Sequence, residues 1–509
     1  MTFTFMKMRN NETARLPDHA LYLTLDQGGH ASRALVFDAS GKIIASDFQP
    51  IAVNHPQPGW VEHDPHQLII SLRTAITNVI TALGTRGQDI IAAGLATQRS
   101  SLTCWDKNSG AALSPIISWQ DRRAHDQLQH YESQRQTIHQ KTGLFLTAHY
   151  GASKLRWCLD HLPLVRIAQQ NNTLACGPLA SFVLFHLLEK HPLLADPANA
   201  SRTLLWNIST GDWDNELLTL FGISRHALPR CVPTRHSFGN LRINDFSIPL
   251  ALTNGDQSAA LFAFGVPQTD TAYINVGTGA FVQRVTLKRP DHSHLLTSVV
   301  MQTAEHTLYT LEGTVNGAGS ALQWASNALN LSNIEPSMEG WLARHNTQAS
   351  TRGTAPPLFL NGVSGLGAPF WIADFRSQFI GTGEAWEKMV AVIESIVFLL
   401  HTNLREMEST CPPARAIVIS GGLAALNGLC QRLADLSELP VYRPAECEAT
   451  ARGTAFLLAT GNKPRVEWPT HWPLNNHQIA SDTTFTPTPN AALHGRYCLW
   501  QQAMPKIPR

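Results

Sequence analysis

Charged residues are scarce in this chain, and their signs are balanced. They make up only 15% of the 509 residues, whereas hydrophobic residues make up 43%, which is typical of a folded protein and not of a disordered one. The 39 lysines and arginines against 38 aspartates and glutamates give a net charge of +1. Because no cluster of basic residues breaks this balance, we expect no binding to nucleic acid.

Paired cysteines and long apolar runs are also missing. The cysteines contain no CxxC pair, so their spacing supports neither a zinc site nor a disulfide framework, and we expect reduced, mostly buried thiols. No apolar run approaches the ~18 residues of a membrane span, and the first twenty residues lack the apolar segment and cleavage site of a signal peptide. We therefore predict a cytoplasmic protein without a membrane partner.

Two common nucleotide-binding motifs are absent as well. The sequence has no GxxxxGK[ST], which excludes a P-loop enzyme, and no GxGxxG after a strand, which argues against a dinucleotide dehydrogenase. Short apolar runs alternate instead with segments of helical period, which predicts an α/β protein. In "DPHQLIISLRTAITNVITAL" Asp64 is a predicted N-cap before an amphipathic helix, and "KMVAVIESIVFLLHTNLREM" (388–407) predicts a helix buried on nearly all sides.

A pattern of strand, glycine turn and strand occurs twice. "LYLTLDQGGHASRALVFD" (21–38) and "AYINVGTGAFVQRVTL" (272–287) share it about half a chain apart, which predicts two related domains facing one cleft. The expected division is a polar leader at 1–19, domains at 20–255 and 256–462, and an irregular surface tail, rich in Pro and Trp, at 463–509.

The glycine turns are candidates for phosphate binding, because glycines at a strand end allow backbone N–H groups to converge on one anion. For any one turn taken alone, an ordinary hairpin is the better interpretation. A third turn, in "AIVISGGLAALNGLCQRL" (416–433), follows a strand and precedes a helix. Three such turns together favour a nucleotide site.

Two aspartates lie beside or between these turns. Asp26 follows the first strand, where it can anchor Mg²⁺ through water or simply cap the turn. Asp256, in "LTNGDQSAALFAFG", precedes a helix start of small residues, where a carboxylate could take the proton of an attacking hydroxyl. This second acid favours the metal-anchoring interpretation of the first.

From about residue 20 to about residue 462 the sequence resembles the FGGY carbohydrate kinases, and most closely their glycerol kinase branch. The motifs that carry the resemblance are "LDQGGHASRALVFD", "PQPGWVEHDP", "ATQRSS", "SWQDRRA", "SKLRWCLDH", "NASRTLLWNISTGDWD", "NGDQSAALF", "GTGAFV", "GAGSALQW", "GLGAPFW" and "SGGLAALNG". The resemblance implies a two-domain actin/Hsp70-like (ribonuclease H-like) α/β fold whose interdomain cleft closes over ATP, Mg²⁺ and a polyol or sugar. It also implies that Asp256 is the catalytic base and that Asp26 lies near the metal.

The same resemblance implies binding roles for further residues. Those of the substrate pocket are Arg99, Ser100, Trp119, His149, Asp256, Gln257 and Phe281. Those of the ATP site are Gly28, Gly29, His30, Arg33, Gly277, Thr278, Gly319, Gln323 and Gly422. An arginine that donates paired hydrogen bonds and an aromatic wall over a carbon chain suit a polyol pocket.

The sequence departs from the glycerol kinase pattern in the first turn and in the pocket. The first turn of that branch resembles DQGTTSSR, and Gly29, His30 and Ala31 replace its two threonines and first serine. Ser100 aligns with a glutamate of the pocket and His149 with a tyrosine. The shorter serine predicts that glycerol is a poor substrate and that a larger polyol or sugar is preferred. His30 and His149 each have an alternative interpretation as a surface or packing histidine, and for His30 this alternative is equally good.

ATP-dependent phosphorylation of a polyol or sugar hydroxyl is the leading hypothesis. The altered first turn keeps open the alternative of a member without turnover that acts as a nucleotide-gated binding or regulatory protein. An Hsp70-like chaperone is disfavoured, because the sequence lacks a separate peptide-binding module. For the oligomeric state, a homodimer and a homotetramer are the alternatives.

Overall fold

The structure is a computed structural model that describes residues 19–291, 294–348, 356–445, 448–460 and 483–507. The predicted polar leader lies, apart from its last residue, outside these ranges. The described chain mixes helices and sheets, as the α/β prediction requires. It divides into two compact units. The first unit contains the described parts of 19–267, 298–309 and 448–460, and the second contains those of 268–297, 310–445 and 483–507.

The strands of the described residues are numbered in chain order. They are β1 (Leu21–Gln27), β2 (Ala31–Asp38), β3 (Ile43–Pro50), β4 (Glu62–His63), β5 (Ile90–Thr97), β6 (Leu102–Asp106), β7 (Ile116–Ile117), β8 (Leu174–Pro178), β9 (Leu194–Ala195), β10 (Trp206–Asn207), β11 (Asp212–Trp213), β12 (Arg230–Cys231), β13 (Arg235–Ile243), β14 (Phe246–Gly255), β15 (Thr271–Val276), β16 (Ala280–Thr286), β17 (Leu296–Gln302), β18 (Thr307–Val315), β19 (Leu358–Leu360), β20 (Gln378–Ile380), β21 (Ala416–Ser420), β22 (Val441–Arg443) and β23 (Thr483–Phe485).

The helices are numbered in the same way. They are α1 (Pro65–Leu83), α2 (Arg135–Thr142), α3 (Gly151–His161), α4 (Pro163–Gln170), α5 (Leu179–Leu187), α6 (Pro197–Ala200), α7 (Asn215–Phe221), α8 (Asp256–Ala260), α9 (Gly319–Ala328), α10 (Glu335–Gln348), α11 (Ala385–Met407), α12 (Asn427–Ser437), α13 (Ala449–Ala459) and α14 (Ala491–Ala503). Short 3₁₀ helices cover Gly84–Asp89, Asp126–Gln134, Arg225–Ala227 and Gly422–Ala425.

The main sheet of the first unit has the strand order β13-β14-β5-β1-β2-β3. β1 and β2 form the predicted hairpin, and both β1 and β14 run parallel to β5. The register places Asp26 of β1 opposite Ala96 of β5, which in turn lies opposite Asn254 of β14. The carboxyl ends of three parallel strands therefore meet at one edge of this sheet, where ligands of α/β proteins commonly bind.

Helix α1 covers one face of this sheet and confirms the sequence prediction. The Asp64 carboxylate accepts the backbone N–H of Gln67 at 2.8 Å, and Pro65 occupies the first turn. By length and composition the stretch Pro65–Asp89 could cross a membrane, the one such helix among the described residues. Its apolar face, which includes Leu68 and Leu72, is buried in the core of the first unit. We therefore interpret α1 as a core helix.

The second unit has a sheet built in a similar way around β15. This strand pairs antiparallel with β16, which is the second predicted hairpin, and parallel with β21. β22 continues the sheet parallel to β21. Helix α11 contains the segment predicted to be buried, and most of its residues are indeed buried in the core of this unit.

Helix α13 belongs to the first unit, although in the chain it comes after most of the second unit. It packs against β1, β5 and α8, and two glycines allow the close approach. A Cβ atom at Gly94 of β5 would lie 2.7 Å from Thr454, and one at Gly453 of α13 would overlap the carbonyl oxygen of Ala259 in α8. The predicted domains, 20–255 and 256–462, are continuous stretches of the chain. The compact units of the structure each combine separate stretches.

The end of the chain differs from the irregular surface tail that we expected at 463–509. Within its described part, β23 extends the sheet of the second unit beside β22, and α14 buries Tyr497 and Trp500 in the core of that unit. The Arg496 guanidinium, mostly buried, donates to the Glu394 carboxylate at 2.6 Å. The prediction was wrong for these residues, because the apolar residues of α14 are mixed with polar ones and do not mark one face of a helix.

The approach of α13 to α8 can be tested by adding one methyl group. We expect Gly453→Ala to lower the free energy of unfolding by about 1–3 kcal/mol, because overpacking at a helix contact outweighs the gain in helix propensity of up to about 1 kcal/mol. The matched control is Gly495→Ala in α14, where a Cβ atom meets nothing within 4 Å. Chemical denaturation measures both, and equal stabilities of the two variants would contradict the packing described.

Candidate functional site

Three predicted residues meet at the sheet edge of the first unit. Asp26 lies near the end of β1, Arg99 follows β5, and Asp256 is the first residue of α8, directly after β14. Asp26 and Arg99 are buried, with 5% and 6% of their surfaces exposed. The register of the parallel strands brings these side chains to one place although they are far apart in sequence.

Asp26 lies in an environment that disfavours its negative charge. Burial raises its pKa to about 7, and the nearby charge of Asp256 contributes in the same direction. Arg33 opposes this shift, with its guanidinium 3.3 Å from the Asp26 carboxylate and 3.6 Å from that of Glu448. Glu448, which precedes α13, is a third acid that the sequence analysis missed.

Two carboxylates, those of Asp26 and Glu448, flank the Arg33 guanidinium, and the charge of a third acid, Asp256, acts on Asp26. Asp26, Asp256 and Glu448 supply the hard oxygen atoms that Mg²⁺ prefers. Among the described residues, no group of three or more His, Cys, Asp or Glu side chains is arranged to hold a metal by itself. Mg²⁺ commonly keeps several waters and is bound through one or two carboxylates together with phosphate oxygens. The residues therefore fit a cation that arrives with a phosphate ligand.

The first glycine turn is a tight hairpin with room above it. The N–H of Gly28 donates to the carbonyl of Ala31 at 2.9 Å, so this donor is used within the turn. A Cβ atom at Gly29 would have as its nearest contact the Gln98 amide, at 3.8 Å, so the protein leaves space there. The Gln98 side chain also donates to the carbonyl of Gly28 at 3.3 Å. His30 is exposed, and Gln98 is a turn-supporting residue that the sequence analysis did not identify.

Arg99 and Asp256 are linked through Gln257. Arg99 donates to the side-chain oxygen of Gln257, and the N–H of Gln257 donates to the Asp256 carboxylate at 2.7 Å. The aliphatic stem of Arg99 lies against the backbone of Gly255, where a Cβ atom would be only 2.6 Å from it. A glycine before the aspartate is therefore required by this close approach. Gln257 thus connects the Arg99 guanidinium with the Asp256 carboxylate.

Ser100 has an unusual backbone conformation beside Arg99. Its φ of 65° lies in the left-handed region, which costs about 1–3 kcal/mol for a residue with a side chain. The residue is 5% exposed, and its Oγ atom has no hydrogen-bond partner among the described residues. A buried hydroxyl without a partner costs about 1–3 kcal/mol, so this atom is available to a ligand.

Trp119 and His149, two of the predicted pocket residues, lie close together in the first unit. Their ring centroids lie 5.6 Å apart, and His149 also contacts the ring of Tyr150 at 4.8 Å. Burial holds the pKa of His149 well below its usual range, and the positive charges of Arg202 and Lys154 add to this effect. A neutral imidazole offers one donor and one acceptor to a ligand.

The predicted nucleotide residues of the second unit lie at its own sheet edge. β15 and β21 are parallel neighbours, so Gly277 and Gly422 follow the ends of adjacent strands. The N–H of Gly319, the first residue of α9, donates to the carbonyl of Gly277 at 2.9 Å, and that of Ser320 to the carbonyl of Thr278 at 3.0 Å. A Cβ atom at Gly319 would lie 2.9 Å from the Gly277 oxygen, so the close approach requires glycine.

Two other predicted residues also lie in the second unit. Gln323 is exposed one turn along α9, where its amide donates to Asn327 at 3.1 Å. Phe281 is half-buried on β16, opposite Asn275 in the hairpin. Gln323 thus lies on the same helix as Gly319, whereas Phe281 belongs to a different unit from the other predicted pocket residues.

Lys154, which the sequence analysis passed over, contacts two of the predicted pocket residues. It is fully buried in α3, and its ammonium group donates to backbone carbonyls of Ser100, Ser118 and His149. The motif "SKLRWCLDH" contains it, but a lysine in an otherwise half-apolar helix reads as a surface residue. Only the tertiary structure shows that this lysine is completely buried.

Comparison with known proteins gives one consistent result. The model of the FGGY family of carbohydrate kinases, N-terminal domain, matches residues 21–263, and that of the C-terminal domain matches residues 272–461. A protein named glycerol kinase from Alkalilimnicola ehrlichii is 34% identical over 499 residues, covering 95% of this chain and 97% of that protein. One of the same name from Trichlorobacter lovleyi is 35% identical over 453 residues, covering 86% and 90%.

A solved structure supports the fold. The crystal structure of Plasmodium falciparum glycerol kinase with ADP superimposes with a TM-score of 0.85 at 22% identity, over 95% of this chain and 97% of that one. The predicted two-domain actin/Hsp70-like fold class is thereby confirmed.

The acidity of Asp26 leads to a prediction about stability. Its folded pKa of about 7 exceeds the unfolded value, so the folded protein binds the extra proton and loses stability as pH rises from about 4 to about 7. Asp26→Asn removes this loss. In protein freed of metal with a chelator, we expect the variant to be more stable than the parent at pH 8, with a smaller difference at pH 5.

Thermal unfolding at both pH values measures this effect, and Asp38→Asn is the control. Burial opposes a low pKa for Asp38, but hydrogen bonds from Ser40 and Lys42 prevail and lower it, so loss of that carboxylate should destabilise the protein at neutral pH. A stability difference for Asp26→Asn that does not change with pH would contradict the proposed environment.

Proposed function

This chain belongs to the FGGY family of carbohydrate kinases and phosphorylates a hydroxyl of a sugar or polyol, and we propose that Asp256 is the general base of this transfer. The observation that carries the proposal is the position of Asp256 at the end of β14, beside Arg99 and Gln257. A hydroxyl bound by the Arg99 guanidinium would lie next to the carboxylate that receives its proton. The alternative of a member without turnover is not favoured, since both acids keep their positions.

ATP is the phosphoryl donor in this proposal, and Mg²⁺ accompanies it. Asp26, Asp256 and Glu448 would together attract a cation, and such a cation would supply positive charge that neutralises the phosphate groups. Asp26 would hold this cation, directly or through water, and the charge of the cation would keep Asp26 ionised. Gly28, Gly29, His30 and Arg33 remain proposed phosphate contacts. In the second unit the proposed nucleotide contacts are Gly277, Thr278, Gly319, Gln323 and Gly422.

We further propose that the acceptor is larger than glycerol. The names of the relatives point to glycerol as the acceptor. Ser100, however, cannot supply the carboxylate that the resemblance places at this position. Its unpartnered Oγ and the neutral His149 ring instead offer hydrogen bonds to extra hydroxyls. Trp119 would cover the carbon chain, and Phe281 remains a proposed pocket residue of the second unit. We retain as proposals a cytoplasmic location and a homodimer or homotetramer.

The base role of Asp256 can be tested with an isosteric change. We expect Asp256→Asn to keep its fold and to lose ~10²–10⁴-fold in kcat, because the acceptor hydroxyl then lacks its base. Asp245→Asn, at the exposed other end of the same strand, should retain full turnover. ADP formation with ATP, Mg²⁺ and a panel of acceptors measures both. Turnover of Asp256→Asn within a few-fold of the parent would remove Asp256 from the role.

The substrate preference can be tested by ranking acceptors. We expect the parent to prefer erythritol, ribulose or xylulose over glycerol by roughly one to two orders of magnitude in kcat/KM, the effect of one unsatisfied polar group. The double variant Ser100→Glu with His149→Tyr should have a higher kcat/KM for glycerol than the parent. Its gain is limited by the left-handed backbone of position 100, which glutamate tolerates no better than serine. Glycerol as the best acceptor of the parent would contradict this account.

A further inference from the structure

Lys154 is buried at a place where a lysine is unfavourable. It lies in the first turn of α3, where the helix dipole disfavours a positive charge, and none of its surface is exposed. Its hydrogen-bond acceptors are backbone carbonyls and not carboxylates. Burial accordingly lowers its pKa well below the usual range, and Arg122 adds to the shift. A lysine at this position lowers the stability of both the helix and the core, so its presence needs an explanation other than stability.

The three acceptors of Lys154 come from three separate segments of the pocket. The ammonium lies 3.3 Å from the carbonyl of Ser100, 2.7 Å from that of Ser118 and 2.8 Å from that of His149. An ammonium group has three N–H donors, so these contacts use all of them. Each acceptor is a predicted pocket residue or the neighbour of one, since Ser118 precedes Trp119.

The backbone of Ser100 has a conformation that its neighbours must hold in place. A residue with a φ of 65° remains in that conformation only when its surroundings hold it. The contact with Lys154 supplies one such restraint, and Ser101 supplies another restraint on the same segments. The Oγ atom of Ser101 accepts the N–H of Trp119 at 3.0 Å and donates to the Gln98 side chain at 3.1 Å.

We propose that Lys154 is the positioning residue of the acceptor pocket: its ammonium group fixes the segments that carry Arg99, Trp119 and His149 at the separation that the sugar or polyol requires. The inference rests on the proposed function of this pocket. It assigns Lys154 no contact with the substrate and no part in proton transfer. Loss of the ammonium releases three carbonyls at once and lets the pocket segments move relative to one another.

The test compares two lysines of the same unit. Lys154→Met keeps length and loses every donor, and Lys154→Arg keeps the charge but carries a larger head. The control is Lys141→Met, which removes ion pairs at 2.9 Å to Asp214 and Glu216 outside the pocket. We expect both Lys154 variants to raise the KM for the acceptor at least 10-fold, with the KM for ATP within threefold of the parent. Lys141→Met should leave both constants unchanged.

Binding is measured separately from turnover, so that failure of this inference and failure of the proposed chemistry are distinguishable. The thermal shift of each protein is recorded with glycerol, erythritol, ribulose or xylulose and without nucleotide. A parent that shows acceptor-induced shifts but forms no ADP overturns the proposed reaction alone. The positioning role is overturned if Lys154→Met retains the acceptor shift, if its two KM values rise together, or if both Lys154 variants fail to fold while Lys141→Met folds.

Discussion

The parallel register of β1, β5 and β14 is the constraint on which the candidate site depends. Their carboxyl ends lie side by side, so Asp26, Arg99 and Asp256 meet although 73 residues separate the first from the second and 157 the second from the third. A register shift of one residue would turn each side chain to the opposite face of the sheet. Every residue of β1 is buried, and Leu23 and Leu95 belong to the apolar core of this unit, so such a shift would disrupt the core packing.

The site is electrostatically unfavourable in the absence of ligand. Asp26 is buried beside another acid, and a single half-exposed arginine serves two carboxylates. Such an arrangement lowers the stability of the folded protein, and the packing of the surrounding core offsets this loss. The proposed Mg²⁺ would offset this cost, because a cation between the acids would remove their mutual repulsion. The same trade applies on the acceptor side, where Ser100 is strained and Lys154 is buried without a hydrogen-bonded carboxylate.

Close backbone approaches account for several of the glycines, and phosphate binding does not account for all of them. Gly255 allows the Arg99 stem to pass, Gly319 allows α9 to contact the turn at Gly277, and Gly453 joins α13 to α8. Gly28 and Gly29 are different, because neither has a positive φ and a side chain would meet no protein atom closely. Open space above the first turn is what a ligand requires.

The sequence by itself determined the fold class, both glycine hairpins, helix α1 with its Asp64 cap and the acids Asp26 and Asp256. These follow from local periodicity, from turn chemistry and from motifs that match a family over most of the chain. Tertiary structure alone decided that α13 completes the first unit, that α14 packs into the core, that Glu448 pairs with Arg33 and that Lys154 is buried against backbone carbonyls. The physical reason is the same in each case. Burial and ion pairing depend on which segments meet in space, and a lysine or glutamate on a helix carries the same local signal whether it faces water or three carbonyl oxygens.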